Sequence, residues 1–159
     1  MGLKALDIMT RNLITVSDET SLLKTLDLMS EHRIRHMPVV DKHLKVVGIV
    51  SQRDLHMSFP AIFDASEAPI KLFMTSPVKY LAQETPIRNV IFKLLENKIS
   101  SVMVGNDQDD AVGIITTDDI LWFFAEALKD ESEKNRSFWD FASKQTIGEL
   151  TRKLSDTVI

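Results

Sequence analysis

The sequence of 159 residues contains no cysteine. That absence excludes disulfides, thiolate metal sites and a cysteine nucleophile. A Gly-x-Ser-x-Gly motif and a phosphate loop are also missing, and no acid–base or nucleophile constellation is evident, so neither an enzyme nor a catalytic cofactor is expected. The histidines form no metal-ligand set, because His32 and His36 are without an acidic third ligand on a clear shared helix. No metal site is predicted.

Long hydrophobic runs and an excess of positive charge are absent as well. No stretch of 18 apolar residues occurs, so no membrane-spanning helix is predicted, and residues 1–7 lack the apolar core of a signal peptide. The formal net charge is −4, which gives no reason to expect nucleic acid or a membrane as a partner. With 44% hydrophobic and 26% charged residues, the composition is typical of a soluble globular protein. A cytoplasmic location is the expectation.

The sequence does contain an internal repeat. Shifted by 65 residues, the chain aligns with itself without a gap. Such a register indicates two copies of one supersecondary unit. The clearest matches are Met9-Thr10 with Met74-Thr75, Val47-Gly48-Ile49 with Val112-Gly113-Ile114, and Asp54 with Asp119.

Each copy has the pattern β-α-β-β-α. Apolar residues at helical spacing predict the first helix, and short apolar runs bounded by polar turns predict the strands. One copy is too small to bury a sheet face and two helices alone. We therefore expect an α+β fold in which two units, related by a pseudo-twofold, pack sheet against sheet with helices outside, followed by a C-terminal helical tail. The predicted strands cover 13–16, 37–40, 46–50, 78–81, 101–104 and 111–115, and the second helices begin at Ser51 and Thr116.

The ordered motifs in both copies resemble a tandem pair of CBS domains, also called a Bateman module. They are Arg35–Val40 with Gly48–Asp54 in copy one, and Ser101–Val104 with Gly113–Asp119 in copy two. The segment from Arg53 to Phe63 further resembles the acetoin-utilisation type, without the ACT domain that such relatives can carry. The resemblance implies CBS domain 1 over 1–57, a linker over 58–71, CBS domain 2 over 72–125 and a C-terminal helical extension over 126–159.

The resemblance also implies a function. CBS pairs bind AMP, ADP, ATP or S-adenosylmethionine as regulatory ligands in clefts between the two units, and they often form dimers that modulate a partner protein. An adenosyl small molecule, a second copy of the chain and an unidentified effector protein are thus the expected partners. In copy one the implied ligand-binding residues are Ile14, Thr15, Val16, Arg35, His36, Met37, Pro38, Ser51, Arg53 and Asp54. In copy two they are Lys79, Tyr80, Leu81, Ser101, Val102, Met103, Thr116 and Asp119.

The Ser-x-x-Asp and Thr-x-x-Asp motifs support two interpretations. A carboxylate accepts hydrogen bonds from a ribose diol, and a hydroxyl with free N–H groups at a helix start donates to phosphate. The same spacing is close to the capping box that begins many helices. Both roles remain open at the sequence level, because a cap can release its carboxylate when a nucleotide arrives.

The two copies differ in charge around this motif. Arg53 in copy one is matched by Asp118 in copy two, and a carboxylate repels phosphate where an arginine binds it bidentately. We therefore predict that the cleft with Ser51 and Asp54 is the better phosphate site. The alternative is that Arg33 and Arg35 are solvated charges at a helix end.

The tail leaves a further alternative open. Phe138, Trp139 and Phe141 could cover the core of their own chain or bury against a second protomer, since aromatic residues are enriched at interfaces. We expect a homodimer with the second helices and the tail near the interface. A structural or interaction module without a ligand, acting through dimerisation and helix contacts, is the competing function.

Overall fold

The computed structural model describes residues 2–58, 67–106 and 110–128. The chain divides into two compact units. We call residues 13–78 the central unit, and residues 1–12 together with those from 79 onward the terminal unit. The predicted C-terminal tail lies outside the described residues, apart from its first three positions.

A three-stranded sheet forms the centre of the central unit. Strand β1 (Val16–Ser17) runs parallel to β2 (His36–Val40), and β2 is antiparallel to β3 (Val46–Ser51). Helix α2 (Leu22–Glu31) connects β1 to β2, and α3 (Gln52–Ser58) follows β3 directly. Ser21 begins α2, where its side chain accepts a hydrogen bond from the Lys24 N–H at 3.3 Å.

The terminal unit has the same topology. A short helix α1 (Ala5–Ile8) precedes it, and β4 (Tyr80–Ala82), β5 (Ser101–Gly105) and β6 (Ala111–Thr116) form its sheet in the order β4-β5-β6. Helix α4 (Ile87–Asn97) connects β4 to β5, and α5 (Thr117–Ala127) follows β6. The predicted β-α-β-β-α pattern and the α+β class are thereby confirmed in each unit.

The first strand of each unit is shorter and begins later than predicted. The expected strand over 13–16 reduces to Val16 and Ser17, and the expected strand over 78–81 begins only at Tyr80. Pairing with the next strand begins at Val16 with Val39 in the central unit, but one position earlier, at Tyr80 with Met103, in the terminal unit. Met103 occupies the repeat position of Pro38, and proline has no N–H to contribute to a ladder.

Each Met-Thr segment pairs with a strand of the opposite sequence copy. Thr10 exchanges backbone hydrogen bonds with Ile114 at 2.9 and 3.0 Å. Thr75 exchanges them with Ile49 at 2.9 and 3.1 Å. The compact units therefore differ from the sequence copies, because the first twelve residues belong with copy two. A short 3-10 turn, Ile70–Leu72, occupies the repeat position of α1 in the central unit.

A glycine in β3 and another in β6 admit these segments. A Cβ built on Gly48 would lie 2.2 Å from the Met74 sulfur. A Cβ on Gly113 would lie 2.7 Å from the Met9 sulfur and 3.1 Å from the Thr10 carbonyl oxygen. The methionine of each Met-Thr segment thus lies directly on the strand at a position where any larger residue would collide with it.

The buried side chains form one cluster in each unit. The central cluster contains Val16, Leu22, Met29, Met37, Val39, Val50, Leu55 and Ile70. The terminal cluster contains Ala5, Ile8, Met9, Val90, Leu94, Val102, Val104 and Ile115.

Within the described ranges, no helix is long and apolar enough to cross a membrane.

Candidate ligand-binding site

The predicted site residues of each copy come together within one unit. In the central unit, His36 pairs with Ser51 across β2 and β3, and the Gln52 N–H donates to the Arg35 carbonyl at 2.8 Å. In the terminal unit, Ser101 pairs with Thr116. In both units, the start of one strand (β2 or β5) therefore lies beside the end of the next (β3 or β6), where the Ser or Thr motif begins the following helix.

The first strands bring in the remaining predicted residues of the central unit. Strand β1 runs parallel to β2 and pairing begins at Val16 with Val39, so Ile14 and Thr15 come just before the first paired residue of β1, as Met37 and Pro38 do in β2. The Met37 side chain is fully buried and belongs to the core. Because the whole residue is 0% exposed, neither the side chain nor the backbone of Met37 is accessible to a ligand in this structure.

The terminal unit has an aromatic ring at the equivalent position. Tyr80 replaces Thr15, and Gly105 replaces Val40. A Cβ on Gly105 would lie 3.0 to 3.2 Å from three atoms of Tyr80, so the tyrosine packs closely against the glycine backbone. The other members of this set are Lys79, which is exposed, Leu81, which is half-buried, and Val102 and Met103, which are buried.

The Ser51 motif begins α3 on the surface of the central unit. The Ser51 hydroxyl donates to Asp54 Oδ2 at 2.6 Å and accepts from the Asp54 N–H at 3.2 Å. Arg53 and Asp54 are both exposed. The capping interpretation therefore describes the geometry of this motif, and its carboxylate remains accessible to solvent.

The Thr116 motif begins α5 with a complete capping box. Asp119 Oδ2 accepts from the Thr116 N–H at 2.7 Å and from the Thr116 hydroxyl at 2.8 Å, while the Asp119 N–H donates to that hydroxyl at 3.2 Å. Unlike Asp54, Asp119 is only 7% exposed. Burial raises the pKa of Asp119 to about 6, and the neighbouring charge of Asp118 adds to the rise, against the lowering effect of the Thr116 hydrogen bonds.

The two oxygens of Asp119 are unequally satisfied. Within the part of the chain that the structure describes, the contact to Oδ1 is the Thr10 hydroxyl at 3.5 Å, which is at the outer limit of a hydrogen bond. A buried carboxylate oxygen normally has closer partners. Oδ1 is therefore an acceptor with capacity for a further donor.

Sequence reasoning missed Thr10 as a member of this site. Thr10 lies 109 positions before Asp119, and it reaches the carboxylate because its segment pairs with β6. The repeat does contain a signal, since Met-Thr recurs at the same position of both copies. A sequence pattern alone does not tell which copy's sheet receives the segment.

Three equivalent positions around the helix start differ in charge between the units. Their equivalence is structural, because the Thr117 N–H donates to the Ser100 carbonyl at 3.0 Å just as Gln52 donates to Arg35. We call these the helix-start positions. In the central unit they hold Arg35, His36 and Arg53, and in the terminal unit Ser100, Ser101 and Asp118. Across the described ranges, no three His, Asp or Glu side chains come together as a metal site.

Comparison with known proteins identifies the repeat. The family model described as CBS domain matches residues 5–59 and 68–126. A solved structure of the CBS domain pair of protein MJ0100, in complex with 5′-methylthioadenosine and S-adenosyl-L-methionine, is 28% identical, with a TM-score of 0.71 over 80% of this chain and 99% of that one. The acetoin utilization protein AcuB from Vibrio cholerae is 32% identical, with a TM-score of 0.72 over 80% of this chain and 94% of that one.

Curated relatives include enzymes that are much longer than this chain. L-aspartate semialdehyde sulfurtransferase from Methanocaldococcus jannaschii is 30% identical over 118 residues, which are 74% of this chain and 22% of that protein. The chain spans about a fifth to a quarter of the length of the first relatives it matches. The match covers their CBS domains, so their catalytic activities do not extend to this chain, and the matched module is regulatory rather than enzymatic.

Proposed function

The chain belongs to the CBS-domain family, and we propose that it is a regulatory module that binds an adenosyl nucleotide at its Ser51–Asp54 and Thr116–Asp119 motifs. Ligand binding then modulates an effector protein in the cytoplasm. The observation that carries the proposal is the buried Asp119 carboxylate, whose Oδ1 has only a distant partner among the described residues.

Ribose chemistry fits this carboxylate. Two neighbouring hydroxyls of a ribose each present an O–H donor, and an ionised carboxylate accepts such charge-assisted hydrogen bonds at 2.5 to 2.7 Å. A ribose hydroxyl would give Asp119 Oδ1 the close donor that the 3.5 Å contact with Thr10 does not supply. Asp54, exposed and bonded to Ser51, offers the same chemistry in the central unit.

The backbone around each motif supports an adenine subsite. Parallel pairing places the β1 and β4 ends beside β2 and β5, where apolar side chains can hold a flat base. The related MJ0100 pair binds 5′-methylthioadenosine and S-adenosyl-L-methionine, which both contain adenosine. We therefore place adenosine recognition in this chain, with AMP, ADP, ATP and S-adenosylmethionine as the candidate ligands.

A thermal-shift panel tests the proposal. AMP, ADP, ATP, S-adenosylmethionine and NAD are each added to the wild-type chain and to the double variant Asp54→Ala/Asp119→Ala. A ligand present at about 100 times its dissociation constant stabilises the folded state by about 2.7 kcal/mol. We expect a rise in melting temperature with at least one adenosyl compound in the wild type and its loss in the double variant. No shift with any compound contradicts the proposal.

A second candidate function, a protein-interaction module, has a separate observation in its favour. Helix α5 and its C-cap residue display an apolar stripe at spacing i, i+3 and i+7, formed by Leu121, Phe124 and Leu128, which are 65%, 59% and 67% exposed. Such a stripe is typical of a helix that packs against another protein. We place the homodimer contact here. Phe138, Trp139 and Phe141, which we also expected near the interface, lie outside the described residues.

Disruption of the dimer tests the interaction function separately from ligand binding. Light scattering coupled to size exclusion is expected to give a dimer for the wild type and a monomer for Leu121→Ser/Phe124→Ser. Ligand-induced thermal shifts should persist in the monomeric variant if the sites bind independently of the dimer. A wild type that is monomeric at every concentration contradicts the dimer.

A further inference from the structure

Helix α4 carries an exposed row of three residues outside the ligand motifs. Arg88, Phe92 and Glu96 recur at every fourth position of this helix, and all three are exposed. We call them the α4 stripe. The Arg88 guanidinium carbon lies 5.2 Å from the centre of the Phe92 ring, within the range of a cation–π contact. The ring and the cation are thus held together at the surface, and aromatic residues and arginine are both enriched at protein interfaces.

The apolar part of this helix face is not required by the repeat. Phe92 is 45% exposed and Leu95 is 66% exposed, while the opposite side of α4 contributes to the buried cluster of the terminal unit. At the equivalent positions, α2 has Asp27 and Ser30. The same β-α-β-β-α unit therefore folds without apolar side chains at these positions, and their presence in α4 favours a contact with another molecule.

The α4 stripe is complementary to a second copy of itself. Phe92 lies midway between a positive and a negative side chain, four residues from each. A twofold axis at Phe92 would pair two α4 helices antiparallel, with the Phe92 rings together and Arg88 of each protomer beside the partner's Glu96. Such a contact is isologous, because the same patch serves both protomers.

Helix packing geometry fits this arrangement. Side chains four residues apart form the ridges that interdigitate in the commonest class of helix pairs, where the ridges of the two helices run side by side. The α4 stripe is one such ridge, about 12 Å long at 1.5 Å per residue. An open groove lined by Asn89, Phe92, Lys93 and Glu96 lies against it and offers a place for the partner's Phe92.

The equivalent face of α2 lacks this complementarity. Leu23, Asp27 and Glu31 occupy its three stripe positions. The same antiparallel pairing would bring two Asp27 carboxylates together at the twofold axis, where like charges repel. Self-pairing is therefore a property of α4 and not of the repeat.

We propose that α4 pairs with α4 of a second copy, antiparallel about a twofold axis at Phe92, as a further part of the homodimer interface. This inference extends the homodimer contact placed on α5 and does not depend on ligand binding. One pair of three-turn helices is smaller than a standard interface of about 1,200 Å² or more, so the α4 stripe and the apolar stripe of α5 contribute together. Both helices pack on the same buried cluster, and their outer faces belong to one compact unit.

Charge reversal tests the pairing. Arg88→Glu would place glutamates opposite each other at both ends of the contact, and Glu96→Arg would place arginines there. Since two attractive pairs become repulsive, we expect each variant to raise the dimer dissociation constant at least about tenfold in sedimentation equilibrium. The helix dipole favours a glutamate in the first turn and an arginine in the last, so neither reversal should destabilise the fold.

An equimolar mixture of the two variants gives the sharpest result. One protomer then has glutamate at both ends of the stripe and the other has arginine, so both contacts of the mixed dimer are attractive. We expect the mixture to dimerise about as tightly as the wild type, and the double variant Arg88→Glu/Glu96→Arg to do so alone. Glu31→Arg, the equivalent change in α2, is the matched control and should leave the dissociation constant unchanged.

Three results would overturn the pairing. Unchanged dissociation constants in both single variants would mean that residues 129–159 or a different protein cover α4. Weakened single variants whose mixture does not recover would exclude the antiparallel arrangement. A wild type that is monomeric at every concentration would remove the homodimer altogether. Adenosyl thermal shifts of the charge variants should match those of the wild type, because no ligand motif is changed, so the proposed adenosyl binding stands or falls separately.

Discussion

A Ser-x-x-Asp or Thr-x-x-Asp motif begins α3 in the central unit and α5 in the terminal unit, yet its carboxylate is exposed in the first and buried in the second. Asp54 lies on the surface with Ser51 as its partner. Asp119 is only 7% exposed and is approached by Thr10. Thr10 is itself half-buried, whereas Thr75, at the equivalent place in the central unit, is exposed. A short motif therefore determines the hydrogen bonds of the helix cap, whereas the segment that packs over the motif determines how readily the aspartate carboxyl ionises.

The largest expected difference between the units is a dependence of stability on pH. The pKa of Asp119 rises from its ordinary value of 3.8 to about 6 on folding, so the folded state holds this proton more tightly than the unfolded state does. The contribution of Asp119 to stability is complete below about pH 4 and is lost as the pH rises through about 6. A shift of this size corresponds to about 3 kcal/mol.

Urea denaturation from pH 4 to pH 7 measures this effect. Asp119→Asn keeps an acceptor for the Thr116 N–H and removes the ionisation. We expect the stability of Asp119→Asn relative to the wild type to increase by about 2 kcal/mol across this range. Asp54→Asn is the matched control and should show a much smaller change, because Asp54 is exposed. A constant difference between Asp119→Asn and the wild type would show that burial does not perturb this carboxyl.

The glycines beneath the Met-Thr segments give the next largest expected effect. Gly113→Ala should destabilise the chain by about 1 to 3 kcal/mol, as overpacking does, because the new Cβ lies 3.1 Å from the Thr10 carbonyl oxygen. That carbonyl also accepts from the Ile114 N–H and cannot move freely. Gly48→Ala should cost less, since its close neighbours are all atoms of the flexible Met74 side chain.

Chemical denaturation of both glycine variants tests this order. Gly2→Ala serves as a control, because nothing lies within 4 Å of its added Cβ. A larger loss for Gly48→Ala than for Gly113→Ala would mean that the backbone of the N-terminal segment yields more readily than the Met74 side chain.

Removal of the capping hydroxyl should have a smaller effect, again unequal between the units. Ser51→Ala removes one capping bond at an exposed helix start and should cost about 1 kcal/mol. Thr116→Ala also takes a donor from the buried Asp119, which should add about 1 kcal/mol or more. Thermal unfolding of the two variants compares them. The Thr116→Ala cost in an Asp119→Asn background should fall toward that of Ser51→Ala.

The sequence predicts the order of strands and helices better than the contacts of the site residues. Apolar spacing and the 65-residue register predict both β-α-β-β-α units, because local propensity and burial act within about fifty residues. The capping geometry of Ser51 and Thr116 follows from their spacing to the aspartates. The burial of Asp119 and its contact with Thr10 do not, since they depend on which sheet receives a segment more than a hundred positions away. The pairing of β1 begins one position later than that of β4 for a similarly specific reason, since Pro38 has no N–H where the terminal unit has Met103.

The smallest expected effects come from two ion pairs, whose lysines precede the two Met-Thr segments. Lys4 pairs with Glu84 in the terminal unit, and Lys71 pairs with Glu19 in the central unit. Each pair raises the pKa of its lysine through a hydrogen bond to the glutamate, but all four side chains are well exposed and water screens them.

Lys4→Met and Lys71→Met should therefore leave the free energy of unfolding unchanged within error, at both low and high salt. The segments instead depend on the backbone pairing of Thr10 with Ile114 and of Thr75 with Ile49. A salt-dependent loss in Lys4→Met but not in Lys71→Met would assign the N-terminal segment an electrostatic attachment that the central unit lacks. The two units would then differ in how their segments are held, and not only in how their carboxylates are covered.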